Sequence, residues 1–214
     1  MDSPEVLSIR PRPAGVFSLV QVGSFGVIGD NCYRLHQPAA ALAHIPGLSV
    51  YEVHPQARNR DAAVLAADVV VLTMTLDLEV FRLVHQRKQL GKPTLCEIND
   101  YLPDVQPWNP VHRTWGDPRA RHFFDELVRC CDAVQVTSEA LAQRLGSQAR
   151  RIAVVPNQLN TIPASPPLKT SAPPVVIGWG GSCGHQQDLA DLATALVPWL
   201  RANPTVRLEV MADP

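Results

Sequence analysis

The sequence predicts an α/β protein: a Rossmann-like, doubly wound parallel sheet, followed by the start of a second Rossmann-like unit. Three observations carry this expectation. Short β-prone runs alternate with helical stripes through the first 156 residues, the pattern of parallel strands joined by crossover helices. One run, Val69–Thr73, is almost purely apolar, as suits a strand covered on both faces of a parallel sheet. The segment 157–174, NQLNTIPASPPLKTSAPP, then breaks the rhythm with Pro, Ser and Thr and reads as a linker, after which the strand–helix pattern restarts.

The elements follow in order. Residues 1–15 form an irregular, proline-containing lead-in, and Val16–Val22 is the first strand, with Gly23, Gly26 and Gly29 close behind. From Tyr33, the residues Leu35, Ala39, Leu42 and Ala43 share a helical face that Pro46-Gly47 ends. Leu48–Val53 is a strand, and a short helix surrounds Ala62–Ala67. After Val69–Thr73, a stripe of Leu76, Val80, Leu83 and Val84 runs to Gly91. Thr94–Ile98 is the next strand, with Asn99-Asp100 at its end and a Pro-rich, Trp-containing loop from Tyr101 to Pro118. Phe123, Phe124, Leu127 and Val128 make one more helical face, and Ala133–Val136 a strand. Ser138 is placed to cap a helix carrying Leu141 and Leu145, which Gly146 terminates, and Ile152–Val155 closes the first domain.

Beyond the linker come a strand at Val175–Trp179, a loop at Gly180–Gly184, and a helix carrying Leu189, Leu192, Leu196 and Leu200. Pro198 should kink that helix or end it early. Val206–Met211 is the last strand. Residues 175–214 thus hold one βαβ unit, which cannot bury both faces of a sheet, and this second domain is expected to be incomplete.

Composition narrows the class of protein. With 46% apolar and 18% charged residues the chain is too apolar for a disordered one. A net charge of -1 gives no pull toward nucleic acid. The five cysteines are odd in number and form no C-x-x-C pair. That argues against a disulfide framework or structural zinc and fits a reducing, cytoplasmic compartment. The N-terminal residues lack the pattern of a signal peptide, and no apolar run approaches the roughly 20 residues that span a bilayer, which leaves peripheral association with a membrane open.

In open parallel sheets, ligands gather beyond the carboxyl ends of the strands. That rule singles out Gly23–Asp30, Glu97–Asp100, Thr137-Ser138 and Gly178–His185. Asp100 could serve as a general base or accept a hydrogen bond from a sugar hydroxyl, or it could cap its own loop. Glu97, in a mostly apolar strand, either faces a cleft or pairs with a cation such as Arg34. Glycines at 178, 180, 181 and 184 fit neither the dinucleotide fingerprint nor a P-loop, so phosphate binding and a plain tight turn are both open readings. His185 ends that glycine-rich loop, whereas His36 and His85 stand alone. Trp108 and Trp115 could stack on a sugar or pack a loop.

Five segments, in order, resemble those of bacterial group 1, or family-4-like, glycosyltransferases. Pro93–Leu102, PTLCEINDYL, is similar to their E-I-D-D-x-L segment. Tyr33-Arg34 with Pro38 and Ala41-Leu42 resembles Y-R-x-x-x-P-x-x-A-L, and Cys131–Leu141 resembles D-x-V-x-V-x-T-x-x-L. Val154–Asn157 resembles V-x-P-N, and Ile177–Ser182 with His185 and Asp188-Leu189 resembles I-G-W-x-G-S-x-x-H-x-x-D-L. The resemblance covers nearly the whole chain. It implies a GT-B fold, with residues 1–156 on the acceptor side and 175–214 opening the donor side.

The activity implied is transfer of a sugar from a nucleotide diphosphate sugar, as co-substrate, to a hydroxyl acceptor on a glycan, lipid or protein, without a metal or other cofactor. Asp100 and Glu97 would be catalytic, with Gly23, Gly26 and Arg34 on the acceptor and Gly180, Gly181, Ser182 and His185 on the donor phosphates. Two departures stand out. Asn99 replaces the family's Asp, and the family's E-x₇-E donor motif would lie beyond Pro214. The expectations are therefore a transferase with little turnover by itself, one half of a split enzyme completed by a partner chain, or a non-catalytic scaffold.

Overall fold

A computed structural model describes residues 15–23, 28–73, 75–162, 164–165 and 175–212. The chain divides into two compact units, Met1–Tyr101 with Arg119–Ile162, and Leu102–Pro118 with Pro163–Pro214. The Trp-containing loop, expected within the first domain, falls in the second unit in this division.

The first unit is an α/β layer structure with a six-stranded parallel sheet, the Rossmann-like fold expected. Its strands are β1 (Phe17–Val22), β2 (Leu48–Val53), β3 (Val69–Thr73), β4 (Thr94–Ile98), β5 (Ala133–Val136) and β6 (Ile152–Val154). They lie in the order β2-β1-β3-β4-β5-β6. The connecting helices are α1 (Ile28–Asn31), α2 (Gln37–Leu42), α3 (Arg60–Ala66), α4 (Leu78–Gln89), α6 (Pro118–Cys130) and α7 (Glu139–Leu145). Helix α5 (His112–Trp115) lies in the second unit. A π segment, Cys32–His36, joins α1 to α2.

Local chemistry fixes the ends. The Asp77 carboxylate accepts from Glu79 N–H at the start of α4, and Ser138 Oγ accepts from Leu141 N–H at the start of α7. Gly47 and Gly91 adopt left-handed φ values of 77° and 65° in the turns after α2 and α4, where a side chain would be strained.

The strand order makes the sheet's two faces unequal. The links from β2 to β3, β3 to β4, β4 to β5 and β5 to β6 all step the same way across the sheet, so right-handed crossovers put α3, α4, α6 and α7 on one face. Only the link from β1 to β2 steps the other way and puts α1 and α2 on the opposite face. Residues pointing to the first face, among them Val20, Val70, Leu72, Cys96, Ile98 and Val134, are buried. With Val64, Leu83, Phe124, Leu127, Val128 and Leu145 from the helices they form the core. On the opposite face Leu19, Val69, Leu95 and Gln135 are only half-buried, and Phe17 is 50% exposed. The expectation that Val69–Thr73 is covered on both faces therefore holds from Val70 onward and fails at Val69.

Arg87 on α4 is 0% exposed and organises the amino edge of the sheet. Its Nε donates to Thr94 Oγ1 (2.9 Å), Nη1 to Val64 O (2.5 Å) and Ala67 O (2.9 Å), and Nη2 to Asp68 O (3.1 Å) and Pro93 O (2.7 Å). All five N–H donors of the guanidinium are used, which is what lets a charge sit there. Burial lowers its pKa to about 10, against the opposing pull of Asp132 and Asp68.

The described part of the second unit contains α5 and a βαβ element: β7 (Val175–Gly181), α8 (Gln186–Ala202) and β8 (Val206–Ala212). β7 and β8 pair in parallel from Val175↔Val206 to Gly181↔Ala212. Two expectations change here. Gly180 and Gly181 are strand residues, not loop residues, because Met211 and Ala212 extend the ladder opposite them. Pro198 does not end the helix early, for the helix runs 17 residues through it. A proline deletes one N–H bond, and the turns on either side keep theirs.

Candidate functional site

The strand order reverses direction at β1, which has β2 on one side and β3 on the other. The carboxyl ends of β1 and β3 are therefore the switch point where an open α/β sheet offers a crevice to ligands. Gly23 follows β1 there, Thr73 ends β3, and Glu97 and Ile98 finish β4 with Asn99 and Asp100 just beyond it. The Thr73 hydroxyl donates to Val22 O (2.8 Å) and the Thr137 hydroxyl to Asn99 O (3.0 Å), tying neighbouring strand ends together. Gly26 lies outside the described residues.

Arg34 and Glu97 meet at this edge. Arg34 leaves the helix in the π segment, where the wider turn is a common feature of functional positions. Its Nε donates to Glu97 Oε1 at 2.5 Å, with the side chains 3% and 1% exposed. Nη1 donates to Val155 O (2.8 Å) and Asn157 Oδ1 (3.0 Å), so Arg34 also holds the chain as it leaves β6. Burial raises the Glu97 pKa, while Arg34 and, less strongly, the Gln135 amide draw it down. Arg34 Nη2 and Glu97 Oε2 have no hydrogen-bond partner. Of the two roles open to Glu97 in the sequence, the pairing with Arg34 is the one realised.

Above this pair sits a polar cluster of Asp30, Asn99 and Asp100. Asp30, at the end of α1, is half-buried, and its pKa is raised by burial first and by the charge of Asp100, with a hydrogen bond from Asn99 opposing. Asp100 is exposed and accepts from Asn99 Nδ2 at 3.3 Å. Asn99 therefore stands between two carboxylates, where a third acid would have been repelled. Asp30 is the member of this cluster that sequence reasoning left unassigned. Its signal was its position at the far end of the Gly23–Asp30 segment. Gly23 has a packing role: a Cβ there would meet Asn31 Oδ1 at 3.0 Å and Leu35 Cδ2 at 3.1 Å, so glycine lets the first helix approach β1.

In the second unit the residues expected to meet the donor phosphates lie close in sequence, and two of them, Gly181 and His185, are already engaged. A Cβ on Gly181 would meet the Trp179 ring at 2.7 Å and His185 Cβ at 3.0 Å, so this glycine makes room for an indole. Around Gly180 nothing lies within 3.7 Å of such an atom. Ser182 O accepts from His185 N–H (2.9 Å), closing the turn into α8. His185 Nδ1 is hydrogen-bonded to Asp188 Oδ2 at 2.8 Å. An anion cradle needs Asp188 turned away from this turn, and here it reaches back to the turn's last residue.

Among the described residues no group of His, Cys, Asp and Glu is placed to hold a metal ion, and no helix is long and apolar enough to cross a membrane. Fold and site together define a Rossmann-like α/β protein with an acidic cluster at its switch point. No protein-family model matches the chain, and no curated protein matches it. Among solved structures it is similar to a conserved protein from Enterococcus faecalis V583, at 13% identity and a TM-score of 0.34, over 65% of this chain and 92% of that one.

Proposed function

We propose that the chain is the acceptor side, and the opening of the donor side, of a glycosyltransferase that moves a sugar from a nucleotide diphosphate sugar to a hydroxyl acceptor. The observation that carries this is the cluster of Asp30, Asn99 and Asp100 at the switch point, above the buried Arg34–Glu97 pair. A carboxylate there can take the proton of an acceptor hydroxyl as its oxygen bonds to the anomeric carbon and the nucleotide diphosphate leaves. Asp100, exposed and beside an amide that orients it, fits the base; Asp30, with its raised pKa, holds a proton more readily and fits a hydroxyl-binding role. Arg34 and Glu97 are positioning residues in this scheme, since they hold each other and the chain after β6.

A second reading, a non-catalytic binding or scaffold protein, is favoured by one observation. Of the positions meant for the donor phosphates, Gly181 makes room for the Trp179 ring and His185 is bonded to Asp188.

Calorimetry of the 214-residue chain against UDP, GDP and their sugars tests the choice. Saturable binding that Gly180→Val, where a Cβ meets nothing closer than 3.7 Å, weakens by on the order of 10-fold supports the transferase, since a blocked charge-assisted hydrogen bond costs about that much. No binding to any of them, by this chain or by a complex containing it, leaves the scaffold reading.

A further inference from the structure

The amino edge of the six-stranded sheet holds a pocket that the reading above does not use. The turns that precede β4, β5 and β6 lie side by side there. Asp132 N–H donates to Thr94 O (2.8 Å) and Val134 N–H to Arg151 O (2.9 Å), and the ladders run from Leu95↔Ala133 and Val134↔Ile152. Neighbouring strands are roughly 4.8 Å apart, so β4 to β6 spans only about 10 Å. The residues just before these strands, Lys92-Pro93, Asp132 and Arg150-Arg151, therefore share one short stretch of edge. Lys88 joins them from the last turn of α4, where its carbonyl accepts from Gly91 N–H (3.1 Å). Together they line a cavity of ≈ 400 Å³, within the range of small-molecule sites.

The charge of this lining is one-sided. It holds four cations, Lys88, Lys92, Arg150 and Arg151, and one carboxylate, Asp132, in a chain whose net charge is -1. Lys92 is engaged, for its Nζ donates to Leu65 O (2.7 Å) and Ala66 O (2.9 Å) at the end of α3. Lys88, Arg150 and Arg151 are exposed, and their side chains make no hydrogen bond or ion pair among the described residues. Asp132 offsets them only in part: its Oδ2 accepts from Thr94 N–H (2.9 Å), and its charge acts on Arg87. Arg87 is itself a buried cation behind this wall, donating to the Pro93 carbonyl at 2.7 Å. Cations gathered without partners repel one another, and a cleft lined by one sign of charge concentrates the opposite sign.

We infer that this pocket binds a soluble phosphate carrying two or more negative charges, a phosphomonoester or a diphosphate group. Three unpaired cations call for more charge than a single carboxylate brings. The guanidinium forks of Arg150 and Arg151 match phosphate oxygens in pairs, and Lys88 adds a point charge. A cavity of this size admits a small phosphate and not the plane of a bilayer. The pocket lies at the other end of the strands from Asp100, and the inference does not depend on glycosyl transfer.

The test is calorimetry of the full chain with inorganic pyrophosphate, and with citrate and sulfate at equal ionic strength. The expected result is saturable binding of pyrophosphate, about ten-fold or more tighter than of citrate or sulfate, and weaker as salt is added. Arg150→Gln with Arg151→Gln should fold normally, as judged by circular dichroism, because neither side chain is bonded, and should weaken pyrophosphate binding about a hundred-fold. Lys88→Gln, at an exposed helix position, should cost about ten-fold by itself. Arg58→Gln removes another exposed, unbonded arginine of the same unit and should leave binding unchanged. No saturable binding of pyrophosphate, citrate bound as tightly, or folded arginine and lysine variants that bind like the parent would each overturn the proposal. So would a loss in Arg58→Gln as large as in the double variant, because the attraction would then be diffuse. Vesicles of phosphatidylcholine with phosphatidic acid supply the last arm: co-sedimentation of a chain that does not bind pyrophosphate would assign this edge to a lipid surface and overturn the soluble ligand.

Discussion

Arg34 donates to Glu97, Val155 and Asn157 from a position almost closed to water, so removing it strands a buried carboxylate. Breaking such a pair on one side costs about 3–5 kcal/mol, whereas replacing both partners by apolar groups is often neutral. Arg34→Met should therefore lower the urea midpoint sharply, and Arg34→Met with Glu97→Leu should recover most of the loss. An additive double variant would mean the two residues act separately. Asp30 gives a second residue-level expectation. Its folded pKa lies above the unfolded value, so the folded state holds the proton more tightly and loses stability as pH rises from the unfolded toward the folded pKa. Asp30→Asn should thus raise Tm at neutral pH, and the gain should vanish below the ordinary carboxylate range, where Asp30 is as neutral as Asn. A gain that persists at low pH would point to packing instead. The Arg34–Glu97 pair was open to reading from sequence because an acid in an apolar strand demands a partner. Arg87 and Asp30 were not, because their partners are backbone carbonyls and a loop residue 69 positions away.

Helix α8 illustrates what periodicity does and does not carry. Its Leu189, Leu192, Leu196 and Leu200 stripe predicted a helix correctly, and Pro198 was expected to interrupt it. Whether a proline ends a helix depends on how many bonds the following turn keeps, which a sequence pattern does not count. Since Pro198 contributes no N–H, Pro198→Ala should stabilise the second unit by roughly 1–3 kcal/mol, read as a higher urea midpoint in tryptophan fluorescence. An unchanged or lower midpoint would mean that Pro198 supports the packing of α8. The strands, their order along the chain and the caps at Ser138 and Gly146 were legible because each rests on a local signal. The π segment at Cys32–His36 was not, since a widened turn has the same residues as a regular one. The extension of β7 through Gly181 also escaped, because glycines read as loop until the partner strand is known.

At the scale of the molecule, the two units differ in how much they bury. No residue of α8 is buried, and Leu192, Trp199, Val210 and Met211 are exposed, whereas the first unit holds a continuous core. All four tryptophans, Trp108, Trp115, Trp179 and Trp199, belong to the second unit, and all three tyrosines, Tyr33, Tyr51 and Tyr101, to the first. Tryptophan fluorescence therefore reports one unit and the bulk of the helical circular dichroism the other. In a urea titration the fluorescence transition should come first and the ellipticity transition later, with non-coincident midpoints. Coincident curves would mean that the units unfold as one.

Arg87 clamps the sheet at one end only. It gathers the carbonyls of Val64, Ala67, Asp68 and Pro93 at the amino edge, while the opposite edge ends in loops, hydroxyl ties and the Asp30–Asn99–Asp100 cluster. A frame anchored this way tolerates revision at its free end. Substitutions at positions 23–30 or 99–101 can alter what the edge recognises without reopening the bonds that set the strands in place. The bonds that fix the strands and the residues proposed to meet the acceptor hydroxyl thus sit at opposite ends of the sheet, so one end can be rebuilt by substitution without loosening the other.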